Sequence, residues 1–130
     1  MTTSSTGFTD ADKEDRRVVI KIAHGDITTH KLVMRDKNGN LADSVLAWSH
    51  QIIKWKIADT ANVKSIEKIF RKGDKEVFAK KPHKKSPKKW KGKLKDVQYN
   101  EEEEYYINWK DDTGNSHTFD PYIQVRPRNN

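Results

Sequence analysis

A lysine-rich segment is the part of this sequence with the clearest capacity for chemistry. Residues 71–95 contain 12 Lys or Arg and only 2 Asp or Glu, while the whole chain carries a net charge of +7. Lysine ammonium groups make point-charge contacts to phosphate, and an interleaved aromatic side chain can stack on a base. The segment therefore predicts an anionic partner: a nucleic acid, another polyanion or an acidic protein surface.

The residues predicted to contact the polyanion lie in the run Lys80–Lys95 (KKPHKKSPKKWKGKLK), and they are Lys80, Lys81, Lys84, Lys85, Lys88, Lys89, Trp90, Lys91 and Lys93. The run contains no Arg, so bidentate reading of bases is not expected. Two other interpretations stay open. The lysines could serve solubility or protect a sheet edge, or Glu101–Glu104 could neutralise them within the molecule.

The four consecutive glutamates, Glu101–Glu104, are the second charged cluster. Calcium-binding loops space their oxygen ligands and include a glycine turn, and this run has neither feature. We therefore interpret it as a charged hairpin tip, one hairpin away from the lysine-rich segment.

Five histidines are the remaining candidates for metal chemistry, and none forms an H-x-H or H-E-x-x-H motif. His24, His30 and His117 lie in or beside predicted strands, so the fold could bring them together; the sequence alone leaves that open. We expect no metal and no other cofactor.

The sequence offers no catalytic motif. There is no Cys, which excludes disulfides, thiolate metal sites and cysteine nucleophiles. There is also no G-x-S-x-G motif, phosphate-binding glycine loop or dinucleotide fingerprint. We therefore expect a protein that is not an enzyme.

The elements that would position these residues are short strands. Apolar side chains alternate along three clear runs, at Val18–Ile22, Ile53–Ile57 and Tyr105–Trp109. With turns roughly every ten residues, the pattern predicts an all-β fold, an antiparallel β-sandwich of roughly seven to nine short strands. Its predicted buried residues are Ile20, Ile53, Trp55, Ile107, Trp109 and Val125, and its predicted exposed aromatic residues are Trp90, Tyr106 and Tyr122.

Composition also predicts how the chain is divided. Residues 1–15 are mostly small polar and charged and predict a flexible N-terminal arm. Residues 16–127 then form one β-sandwich domain. Within it, Pro82, Pro87 and Gly92 disfavour regular structure, so residues 80–95 are predicted to be an exposed, mobile loop.

The C-terminal residues carry a resemblance. Tyr105–Trp109, a turn containing glycine, and Phe119–Val125 resemble the closing hairpin of immunoglobulin-like or cupredoxin-like β-sandwiches, over about 25 of the 130 residues. The resemblance implies a sandwich architecture. It implies no copper site, because the cupredoxin site requires a Cys between two His.

Two functions follow from the sequence. The first is a non-catalytic binding module that contacts a polyanion through the lysine-rich loop. The alternative is a protein–protein interaction or assembly module in which the lysines serve solubility only. The chain has neither an apolar run of membrane-spanning length nor a signal peptide, so a cytoplasmic location is expected.

Overall fold

Residues 8–128 are described by a computed structural model, and they consist of strands, turns and connecting segments. The strands are β1 (Phe8–Asp10), β2 (Arg17–Gly25), β3 (Leu32–Arg35), β4 (Ser44–Trp48), β5 (Ile52–Ile57), β6 (Val63–Arg71), β7 (Phe78–Ser86), β8 (Lys89–Leu94), β9 (Glu101–Asp111), β10 (Ser116–Phe119) and β11 (Tyr122–Arg126). No residue in this range is helical, so it offers no helix that could cross a membrane. The predicted all-β class is confirmed, with more strands than expected.

The strands form two sheets. The five-stranded sheet has the order β3-β2-β5-β8-β7, and the six-stranded sheet has the order β1-β4-β11-β9-β10 with β6 also paired to β9. The pairs β1–β4, β4–β11 and β2–β5 are parallel. The sheets are therefore mixed, and the prediction of wholly antiparallel pairing is wrong. The chain has room for these crossovers because each parallel pair is separated by other strands.

Strand β9 is the axis of the six-stranded sheet. Residues Glu101–Glu104 pair with β11, and residues further along pair with β10 in the same antiparallel register. Strand β6 runs along the opposite edge of β9. Pro121, which has no N–H to donate, lies where β10 ends and β11 begins. The prediction that Glu101–Glu104 form a hairpin tip is wrong, because this run opens the longest strand.

The core lies between the two sheets. All six residues predicted to be buried are fully buried, and one apolar cluster includes residues of both sheets. Trp55 on β5 donates its indole N–H to the Tyr105 hydroxyl on β9 at 3.3 Å. A Cβ at Gly25 would overlap the Trp109 ring, so only glycine lets this ring pack so closely against β2.

The lysine-rich segment is not a loop. It forms the hairpin β7–β8, in which β7 is the edge strand. Pro82 is tolerated there because an edge strand has one unpaired side and because the β7 register shifts around it. The turn is fixed to the body of the protein, since Ile66 N–H donates to Pro87 O at 3.0 Å and Ile57 N–H donates to Lys88 O at 2.9 Å.

The predicted flexible arm is only partly described, because residues 1–7 lie outside the described range. Its remainder does not form a free arm: β1 pairs with β4, and the Thr9 hydroxyl donates to Leu41 O at 2.8 Å. The indole N–H of Trp48 donates to Ala11 O at 3.0 Å. The polar composition of residues 1–15 suggested that their backbone groups stay solvated. In β1 these groups instead pair with β4.

Candidate functional site

The predicted polyanion-binding lysines lie on two paired strands and on the turn between them. Lys80, Lys81, Lys84 and Lys85 are on β7, Lys88 is in the turn, and Lys89, Lys91 and Lys93 are on β8. Along β8 the lysines alternate with buried residues. Because successive side chains of a strand point to opposite faces, the β8 lysines share the outward face of the five-stranded sheet.

Trp90 does not belong to this surface. Its side chain is buried and donates its indole N–H to Ile66 O on the opposite sheet at 3.2 Å. The prediction that Trp90 is an exposed stacking platform is therefore wrong. On strand β8, Trp90 lies between Lys89 and Lys91, so its side chain points to the opposite, inward face. The prediction of a loop for residues 80–95 did not include this alternation.

Neighbouring strands extend the surface with cations from outside the lysine-rich segment. The Cα partners across the sheet are Arg35 with Lys21, Lys21 with Lys56, and Lys56 with Lys89. All four side chains are exposed. With strands about 4.8 Å apart, this cationic row (Arg35, Lys21, Lys56, Lys89) extends about 14 Å across four strands.

The five-stranded sheet carries no negative charge on its strands. Its strands contain twelve Lys or Arg, two on β2, one on β3, two on β5, four on β7 and three on β8, and no Asp or Glu. We call its outward side, together with the exposed edge strand β7, the basic face. The strands of the six-stranded sheet contain five Lys or Arg against seven Asp or Glu.

Ion pairs with Glu101–Glu104 involve only lysines that flank the basic face. Glu101 pairs with Lys95 at 3.2 Å and with Lys75 at 3.7 Å, and Glu104 pairs with Lys72 at 3.5 Å. Within residues 8–128, no lysine of β5, β7 or β8 takes part in an ion pair. Direct ion pairing with Glu101–Glu104 therefore does not reach the described lysines of β5, β7 and β8.

The pKa of Lys54 reflects the crowding of positive charge on this face. It lies on β5 directly opposite Lys91 of β8. Partial burial lowers the pKa of Lys54, and the charges of Arg17, Lys91, Lys89 and Lys56 lower it further. The ammonium groups are thus close enough to repel one another, which is a state that a bound anion would relieve.

Two of the three histidines that the fold could have brought together are in contact. His30 Nδ1 lies 2.8 Å from His117 Nδ1, whereas His24 lies on β2 opposite Val33. His117 Nε2 lies 2.8 Å from Asp111 Oδ2. Across the described chain, no group of three or more His, Asp or Glu is arranged to hold a metal ion.

Asp111 determines how protons are distributed in this network. Its Oδ1 accepts hydrogen bonds from the Thr113 hydroxyl at 2.6 Å and from two backbone N–H groups of the turn. The Thr113 hydroxyl and then His117 lower the pKa of Asp111, so it is ionised. His117 Nε2 must therefore donate to it, and a single proton lies between the two Nδ1 atoms.

This histidine pair fixes a loop to the six-stranded sheet. His30 adopts a φ of 68°, a left-handed conformation that is strained for a non-glycine residue. Its carbonyl accepts the Trp109 indole N–H at 3.1 Å, and the Trp109 ring stacks on His117 at a centroid distance of 4.3 Å. The contacts of His30 with His117 and Trp109 thus hold the β2–β3 loop against β9 and β10.

Glu103 is a buried carboxyl away from the basic face. It is only 2% exposed, and its Oε1 accepts the Val77 backbone N–H at 2.9 Å. Burial raises the pKa of Glu103 to about 7, although the Val77 hydrogen bond opposes this shift. The group therefore ionises near neutral pH.

Comparison with known proteins identifies neither a family nor a relative: no family model matches the chain, and no curated protein matches it.

Proposed function

We propose that this protein binds nucleic acid without catalysis, through the basic face of its five-stranded sheet. The cationic row carries the proposal, because Arg35, Lys21, Lys56 and Lys89 are direct neighbours across four strands. Like charges directly opposite one another destabilise a sheet. A surface that keeps such an arrangement without acidic residues on its strands is suited to neutralisation by an external polyanion.

The type of cation favours contact with the phosphate backbone. Lysine accounts for ten of the twelve cations on the five strands, and lysine contacts phosphate as a point charge. The aromatic residues of β5 and β8, Trp55 and Trp90, are buried, so neither is available to stack on a base. We therefore expect binding that does not depend on sequence and does not require unpaired bases.

The alternative interpretations account for only part of the face. Lysines on an edge strand discourage pairing with other chains, and this explains β7 well. It does not explain Lys54 and Lys56, because β5 is the central strand of the sheet. Solubility does not explain Lys54 and Lys56 either. A mixture of positive and negative side chains would keep the protein soluble without repulsion between like charges.

The proposal includes two further expectations, one on the kind of fold and one on the location of the protein. The two sheets form a β-sandwich of the immunoglobulin-like or cupredoxin-like kind, as the final strands suggest, with parallel pairs added to the antiparallel ones. The protein acts in the cytoplasm, where nucleic acid is accessible and where a chain without Cys needs no oxidising environment.

Salt-dependent binding to a mixed-sequence DNA duplex tests the function. Fluorescence anisotropy should give a slope of log K against log salt of about -4 to -5 if roughly five lysines reach phosphates, because each contact contributes about -0.9. The variant Lys21→Gln/Lys56→Gln/Lys89→Gln should lower the magnitude of the slope by about 2.7. Single-stranded DNA of equal length should bind no more tightly than the duplex.

The matched control removes three lysines from the other sheet. The variant Lys64→Gln/Lys68→Gln/Lys110→Gln has the same net charge, but its altered positions lie on β6 and β9. It should retain a slope close to that of the wild type. If the wild type binds neither duplex DNA nor heparin at ~50 mM salt, the proposal fails. Binding to an acidic protein but to neither polyanion would favour the interaction-module alternative.

A further inference from the structure

A depression lies within the basic face, where β5, β8 and β7 meet. Its volume is about 330 Å³, and its lining includes five lysines: Lys54, Lys56, Lys85, Lys89 and Lys91. The other lining residues are Val19, Trp55 and Trp90. No acidic residue lines it, so the depression concentrates positive charge that is elsewhere spread over the whole face.

Three strands contribute the lysines of the depression from fixed positions. Lys56 lies opposite Lys89, and Lys54 lies opposite Lys91, on the paired strands β5 and β8. Lys85 reaches it from β7, next to the turn whose backbone is hydrogen-bonded to Ile57 and Ile66. The backbone positions of these lysines are thus fixed by two sheet ladders and an anchored turn, so no backbone ordering is needed to gather their side chains around a ligand.

The five lysines of the lining indicate how much negative charge a matching ligand would carry. A single phosphate group carries about -1.5 to -2 charges at neutral pH, which would leave about three of the five lysines without a counter-charge. A volume near 330 Å³ is at the small end of the range for ligand pockets, about 300–1,000 Å³. The depression therefore matches several linked phosphates more closely than one phosphate, and a compact ligand more closely than a bulky one.

We propose that this depression is a binding site for linked phosphates, such as inorganic triphosphate or the phosphate chain of a nucleoside triphosphate. The inference rests on the proposed function, because the site lies on the same face, and it identifies the point of tightest phosphate contact. Bound triphosphate occupies Lys56 and Lys89 of the cationic row and therefore competes with nucleic acid.

Titration calorimetry with inorganic triphosphate at low salt tests the site. The wild type should bind triphosphate and should not bind inorganic phosphate at the same concentration. The variant Lys54→Met/Lys85→Met, which removes two charges from the lining while nearly keeping side-chain length, should weaken triphosphate binding by roughly ten- to a hundredfold. Adenosine triphosphate should bind about as tightly as inorganic triphosphate, because the site recognises the phosphate chain. A much tighter complex with adenosine triphosphate would overturn this assignment, because the nucleoside would then supply the affinity.

The control variant is Lys81→Met/Lys84→Met, which alters β7 outside the lining with the same change in charge. It should bind triphosphate within about twofold of the wild type, while both double variants lose DNA affinity to a similar extent. Equal weakening of triphosphate binding in the two variants would show diffuse attraction and overturn the inference. A protein that binds DNA but not triphosphate would overturn the inference alone, whereas one that binds neither would overturn the proposed function as well. Melting curves check that each variant is folded.

Discussion

Replacing Lys56 by Glu should change stability and nucleic-acid binding in opposite directions. Lys56 lies at the centre of the cationic row, with Lys21 on one side and Lys89 on the other. Its side chain is exposed, so the substitution alters charge without disturbing the core. Glu at this position would turn two repulsive cross-strand neighbours into two attractive ones.

The size of the effect follows from the pairing. Each cross-strand charge pair contributes roughly 0.2–1 kcal/mol, and two pairs change sign together. Lys and Glu have similarly low strand preferences, so little is lost through propensity. We expect the free energy of unfolding of Lys56→Glu to rise by about 1–2 kcal/mol at low ionic strength, and Lys56→Gln to fall between it and the wild type. The gain should largely vanish near 1 M salt, where the screening length is about 3 Å.

Urea unfolding at ~50 mM and ~1 M salt measures the stability, and anisotropy with duplex DNA measures binding. Lys56→Glu should bind DNA at least about tenfold more weakly. Lys64→Glu on β6 gives the same change in net charge on the other sheet, and we expect its stability to stay within about 0.5 kcal/mol of the wild type. If Lys56→Glu is destabilised at low salt, the row is not strained electrostatically. If both variants bind DNA equally well, the row is not the interface.

The remaining predictions concern the core, the buried carboxyl of Glu103 and the hydrogen bond between His117 and Asp111. Glu103→Gln keeps the acceptor for Val77 N–H and cannot ionise. Because the folded pKa of about 7 exceeds the unfolded value, wild-type stability is fully present below about pH 4.5 and falls as pH rises through 7. The variant should therefore match the wild type at acidic pH and exceed it by up to about 3 kcal/mol at pH 8 in urea unfolding; equal stability at pH 8 would contradict the burial argument. Trp109→Ala should cost about 3–5 kcal/mol, and Gly25→Ala about 1–3 kcal/mol through the clash with the same ring. Gly73→Ala, which has open space around it, should be nearly neutral, and an equal loss in both glycine variants would argue against the clash. His117→Ala should cost about 1–3 kcal/mol, because buried Asp111 loses a donor; an unchanged melting temperature would show that the hydrogen bond contributes nothing.

Strand alternation in the sequence was enough to predict the β class and the core. Ile20, Ile53, Trp55 and Trp109 lie on apolar faces of period-2 runs, and all four are fully buried. Alternation does not specify which strands become neighbours. The parallel pairing of β2 with β5 joins segments that are far apart in the chain, and no local signal in either segment records it.

The sequence indicated only some of the lysines of the basic face, because alternation does not specify which strands become neighbours. The lysines of β7 and β8 form one conspicuous run, so composition alone found them. Lys21, Lys54 and Lys56 are visible only as the polar positions of two alternating strands, and their proximity to β8 depends on the sheet order. Pro82 and Gly92 led to the wrong expectation of a loop. The sheet accommodates Pro82 on an edge strand, and Gly92 fits beneath Phe78, where a Cβ would lie 2.9 Å from the ring.

Positive charge is concentrated on one of the two sheets. This separation bears both on the cost of the self-repulsion in stability and on the proposed binding of a polyanion. Repulsion within the row acts between exposed groups, so water and salt limit its cost to a small part of the total stability. The strands of the six-stranded sheet carry five Lys or Arg and seven Asp or Glu. Because Glu103 and Asp111 are buried, the charges left at its surface balance, and this side has no excess of positive charge to attract an anion. We therefore expect an approaching polyanion to be attracted to the basic face, which would orient the protein before contact is made. An even distribution of the same charges would give equal solubility without this orientation, and for that reason the arrangement favours binding as the role of the lysines.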